Sequence, residues 1–118
     1  MARTLGQEIR RLRQKAGFTL RDLAAALGIS PAHQSDVELG RRLPSDRVLR
    51  VTAKALAPAG ATFEGLKALD PRLGPEVEAW VQRTPEIAQL LREIRASRVP
   101  PRAVLQAVRK LKGPGPVN

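Results

Sequence analysis

Apolar residues recur along the first seventy positions at helical spacing, broken at regular intervals by glycine, proline and hydroxyl residues. Leu5, Ile9 and Leu12 fall on one face, and Gly17 follows as a stop, so the pattern predicts a first helix from Thr4 to about Ala16. Thr4 with Gln7 three residues on is a capping-box pair. Thr19 and Asp22 announce a second helix in "TLRDLAAALG", with Leu20, Leu23, Ala24 and Leu27 as its stripe and Gly28 as its end. Ser30 and Pro31 open a third as cap and first-turn residue, and Gly40 ends it. Ser45 opens a fourth in "SDRVLRVTAKALA", with Val48, Leu49, Thr52, Ala53 and Leu56 inward. Pro58 and Gly60 end that one, and Thr62 starts a short fifth in "TFEGLKAL".

From Pro71 the texture changes to helices punctuated by proline, predicted at roughly 75 to 83, 85 to 96 and 101 to 112, with Pro75, Pro85 and Pro101 in their first turns. Their stripes are Val77, Trp80 and Val81; Ile87, Leu90, Leu91 and Ile94; and Val104, Leu105, Val108 and Leu111. No segment alternates with period two, so the expected fold is all-α. Three parts follow: a helical domain at 1–70, a helical extension at 71–112, and a tail at 113–118, "GPGPVN", expected to be disordered.

Composition narrows the functions available. There is no cysteine, one histidine, no paired carboxylates in an apolar setting and no glycine-rich phosphate loop, which leaves no nucleophile and base for an enzyme and no metal or cofactor set. No apolar run reaches membrane-spanning length and the charged N-terminal stretch lacks a signal-peptide core, so a cytoplasmic, nucleoid-associated protein is expected. The formal net charge of +10 attracts polyanions. Residues 1–57 carry +6 and residues 58–118 carry +4, the latter concentrated between 92 and 112, where seven basic residues stand against one acid. That cluster, Arg92, Arg95, Arg98, Arg102, Arg109, Lys110 and Lys112, reads first as a solvated face, with additional phosphate contacts or RNA binding as the alternatives.

A helix ending at Leu27, a turn through Gly28, Ile29 and Ser30, and a helix from Pro31 have the spacing of a helix-turn-helix. Over residues 4–69, "LGQEIRRLRQKAGFTLRDLAAALGIS" followed by "VELGRRLPS" and "LRVTAKAL" resembles the Cro- and lambda-repressor-like (XRE) helix-turn-helix family. The order Leu5, Ile9, Leu12, Arg13, Gly17, Leu23, Ala24, Gly28, Ile29, Ser30, Val37, Glu38, Gly40 and Pro44 carries the likeness. The resemblance implies a five-helix lambda-repressor-like DNA-binding domain, here with a C-terminal extension of about three helices, whose third helix lies in the major groove of double-stranded DNA. It also implies an ion pair between Arg13 and Glu38, the alternative being two solvated surface charges.

Helical geometry assigns the faces of the third helix independently. With Val37 inward, Ser30, His33, Gln34 and Arg41 fall within about 60° of the core direction at 100° per residue, while Ala32, Ser35, Asp36 and Leu39 point away. The resemblance places base contacts at Pro31, Ala32, Ser35 and Asp36. None of these is a long bidentate donor: Asp36 can accept from cytosine, Ser35 can bond several base edges, and Pro31 or Ala32 can touch a thymine methyl. Phosphate-contact candidates are the amides at Thr19 and Leu20, then Arg21, His33, Arg41, Arg42 and Arg47. Gln34 takes an inward position that is usually apolar in the family; either it finds a hydrogen-bond partner or the helix packs loosely.

These readings predict a bacterial DNA-binding transcriptional regulator, a repressor that binds a two-fold operator as a homodimer. The extension would dimerise, dock a protein partner through residues 71–112, or pack back on its own domain. The competing reading is an antitoxin or adaptor module whose helix-turn-helix is auxiliary or degenerate.

Overall fold

A computed structural model describes residues 3–111, which are all-α, with no strand among them. The chain divides into two compact units, residues 1–72 and 73–118. Lys112 of the basic cluster and the proposed tail 113–118 lie outside the described residues.

The first unit is a five-helix bundle: α1 (Leu5–Lys15), α2 (Leu20–Leu27), α3 (Pro31–Glu38), α4 (Asp46–Ala55) and α5 (Phe63–Lys67), with a 3-10 turn at Ala57–Ala59. Hydroxyl residues start these helices, as their spacing predicts. The Thr4 hydroxyl accepts from the Gln7 amide at 3.1 Å, and the Gln7 side chain accepts from the Thr4 amide at 2.9 Å. Thr19, Ser30, Ser45 and Thr62 each accept from the amide three residues on. Each such cap satisfies a donor the helix cannot, worth about 1 kcal/mol.

The apolar stripes meet in one core of Leu5, Ile9, Leu12, Leu23, Leu27, Val37, Leu49, Leu56 and Leu66. Thr52 is buried too, and its hydroxyl donates to the Val48 carbonyl at 2.7 Å. The Arg50 guanidinium sits 4.1 Å over the Phe63 ring, joining α4 to α5. Helix α1 approaches the end of α3 at Gly6, where a Cβ would stand 2.6 Å from the Glu38 carbonyl oxygen and closer still to that of Val37. Only a residue without a side chain permits that packing.

Two expectations need correction. Helix α4 stops at Ala55, with Pro58 inside the separate 3-10 turn, because the turn's Leu56 and Ala57 carbonyls already satisfy the following amides. Ser30 and Arg41, placed inward by extrapolating the helical wheel, are exposed, because one is the cap of α3 and the other lies beyond its end.

The second unit comprises α6 (Pro75–Arg83), α7 (Pro85–Ser97) and α8 (Pro101–Leu111), with a proline opening each. Helices α6 and α7 pack against each other. No residue of the three helices is buried, and Trp80, Leu90, Leu91, Leu105 and Val108 are each about half exposed. Arg98, at the end of α7, takes a left-handed φ of 57°.

Candidate nucleic-acid interface

The geometry of α3 rests on one buried polar network. Arg13 of α1 grips Glu38 of α3 with two nitrogens, Nε to Oε2 at 2.8 Å and Nη2 to Oε1 at 3.1 Å. Its third nitrogen, Nη1, donates to the carbonyl of Phe18 at 3.0 Å, just before the cap of α2. Gln34, 1% exposed, adds its Nε2 to the same Glu38 Oε2 at 2.8 Å. Gln34 therefore has a partner, one turn further along its own helix. Three donors converge on one buried carboxylate and tie α1, α2 and α3 together. Removing one member of the ion pair would strand a buried charge, at about 3–5 kcal/mol.

The turn after α3 is equally determined. Gly40 has φ 77°, its amide donates to the Val37 carbonyl at 3.2 Å, and the Arg41 amide reaches back to the Asp36 carbonyl at 2.8 Å. This is a Schellman closure, which needs a left-handed residue at the position Gly40 fills. It delivers Arg41 and Arg42 to the surface beside the outward face of α3. The Arg41 guanidinium, largely exposed, lies 4.0 Å from the half-buried Asp36 carboxylate.

Among the candidate base-reading residues, Pro31 and Ala32 are exposed, whereas Ser35 and Asp36 are half-buried. Leu39, also on the outward face, is 56% exposed. Among the phosphate candidates, Thr19, Arg21, Arg41, Arg42 and Arg47 are exposed, and Leu20 and His33 are half-buried. His33 donates its amide to the Ser30 cap. The Thr19 hydroxyl takes the Asp22 amide, which leaves the amides of Leu20 and Arg21 at the open end of α2.

Two residues not singled out from the sequence join this surface. Arg10 lines a cleft of about 210 Å³ with Arg13, Leu20, Ser35 and Leu39, putting a cation between the start of α2 and the outward face of α3. Its signal was its offset from the Leu5, Ile9 and Leu12 stripe, but which neighbours it would meet depends on tertiary packing. Arg72 donates to the Pro44 carbonyl at 2.5 Å and to both oxygens of Asp70 at 2.9 Å. These bonds to Arg72, with one from Lys67, hold the buried Asp70 carboxyl well below the usual carboxylate range. The loop that follows α3 is thereby fixed at its far end as well.

A search of curated proteins finds no match. Among solved structures, the chain is similar to the clp gene regulator ClgR from Corynebacterium glutamicum, at 29% identity over 79% of this chain and 88% of that one, with a TM-score of 0.49. The family described as the helix-turn-helix domain matches residues 4–64, more than half of the sequence and the whole stretch from the α1 cap into α5. The chain belongs to the helix-turn-helix domain family.

Proposed function

We propose that the protein is a transcriptional regulator that binds double-stranded DNA, acting at the nucleoid as a repressor by occluding promoters. The observation that carries this reading is the Schellman turn that sets Arg41 and Arg42 next to the outward face of a rigidly held α3. Helix α3 enters the major groove, with Pro31, Ala32, Ser35 and Asp36 toward the bases. Arg21, Arg41, Arg42, Arg47 and the amides at Thr19 and Leu20 meet phosphates, with His33 at the edge. Residues 1–70 form the reading domain and residues 71–112 the extension that joins two copies. Helices α6, α7 and α8, which bury no residue, need a partner to cover their apolar stripes, and a second copy also supplies the second reading head for a two-fold operator.

The same bare stripes favour a second reading, an antitoxin or adaptor whose extension docks another protein. Footprinting on the promoter of its own gene tests the choice. A protected site with two-fold symmetry supports the repressor; binding without sequence preference at every salt concentration defeats it.

A further inference from the structure

A second cleft in the first unit is unlike the reading surface. It has a volume of about 260 Å³ and apolar walls from Leu5, Val37, Leu43, Pro44, Leu69 and Pro71, with Thr4 and Arg42 as its main polar groups. Leu5 and Val37 are core residues, so its floor is rigid, while Leu43 is 40% exposed at the mouth. A dry apolar cavity of about 150 Å³ suffices to bind benzene. This cleft therefore has room for a ring or branched chain and a few atoms more. Such walls offer nothing to a sugar or a free phosphate, whose lost hydration would go unrepaid.

The charge at the rim selects further. Arg41 has the Asp36 carboxylate beside it, whereas Arg42 has no ion-pair partner among the described residues. The Thr4 hydroxyl accepts from the Gln7 amide, which leaves its own proton to donate. An apolar body with one anionic end matches this arrangement.

We propose that the cleft binds a small arylalkyl or branched-aliphatic carboxylate, with its apolar body on Leu5, Val37 and Leu69 and its carboxylate on Arg42. The acid then competes with a DNA phosphate for the same guanidinium, so that ligand and operator weaken each other reciprocally. This second half rests on the DNA-binding reading; occupancy of the cleft does not.

Titration of the full-length protein with 3-phenylpropanoate, and separately with the neutral 3-phenylpropanol, followed by methyl NMR and without DNA, tests the site. Saturable shifts confined to the cleft methyls are expected, with the acid binding about fivefold tighter than the alcohol. Arg42→Gln should erase that preference while keeping the alcohol, and Leu43→Ala, at an exposed wall, should weaken both. No saturable shift with either compound, equal affinity for the two, or cleft methyls already contacted by a second copy of the chain would each overturn the proposal. In a parallel DNA titration at constant ionic strength, saturating acid should lower operator affinity severalfold. Cleft binding with unchanged operator affinity would show that Arg42 is not shared. A failure to bind any DNA would strike the functional reading and leave the cleft result standing.

Discussion

Gln34 donates its side-chain amide to Glu38 Oε2 at 2.8 Å, on the oxygen that Arg13 Nε also holds at 2.8 Å. A polar residue on the inward face of α3 is thus a component of the ion-pair network. Gln34→Leu should destabilise the fold by about 1–2 kcal/mol, since the lost bond to a charged acceptor is only partly offset by apolar burial. Glu38→Gln should cost about 3–5 kcal/mol because it leaves Arg13 buried without its counter-charge. Urea unfolding of the single and double variants measures both, and strict additivity would show that Gln34 and Glu38 act independently.

Gly6→Ala should cost on the order of 3 kcal/mol, because the new methyl meets the carbonyl oxygens of Val37 and Glu38, backbone atoms that cannot rotate away. Thermal unfolding reads this directly. A change below about 1 kcal/mol would mean that α1 shifts freely against α3.

Asp70 contributes to the acid limb of stability. Its carboxyl is depressed by the bonds from Arg72, so the stabilisation is fully present above the unfolded-state pKa of about 4 and is lost as the pH falls from there toward the folded value. Asp70→Asn should lower stability at neutral pH and flatten the decline below about pH 4. Denaturant melts at pH 3 and pH 7 distinguish this from a uniform loss.

On DNA, Arg41→Ala and Arg42→Ala should each weaken binding to all sequences and reduce the salt slope by about 1. Asp36→Ala should alter sequence preference and also raise non-specific affinity, since it removes a carboxylate from the side of Arg41. Fluorescence anisotropy against specific and scrambled duplexes over a salt series separates these effects. Identical behaviour of the Arg41 and Asp36 variants would overturn the roles assigned to them.

Sedimentation at micromolar concentration should give the mass of two chains. Leu91→Asp with Leu105→Asp, both on the exposed stripes, should give that of one. The variant should keep its affinity for a half-site and lose the gain from a two-fold operator.

Helix caps and the inward faces of helix interiors are readable in the sequence. Thr4, Thr19, Ser30, Ser45 and Thr62 are caps because a hydroxyl reaches only the amides that follow it, and Val48, Leu49, Thr52, Ala53 and Leu56 are inward because the helical period puts them there. Periodicity misled at the ends of α3, where Ser30 and Arg41 leave the helix. It also could not show that Ser35 and Asp36 are half-covered, because that depends on how the chain folds back after Gly40 and on packing against other helices. Arg10 against Ser35, and Arg72 against Pro44, arise between residues 25 and 28 positions apart and have no local signature.

The Arg13 guanidinium uses its three nitrogens to bind α3 at Glu38 and the approach to α2 at Phe18, so α3 has little freedom to shift against α1 and α2. On the proposed DNA-binding reading, the duplex would supply the adjustment, and the energy of bending or narrowing a groove depends on base steps the protein never touches. On that reading, with only short side chains at Ala32, Ser35 and Asp36, stiffness in the protein would become discrimination by the mechanical compliance of the DNA.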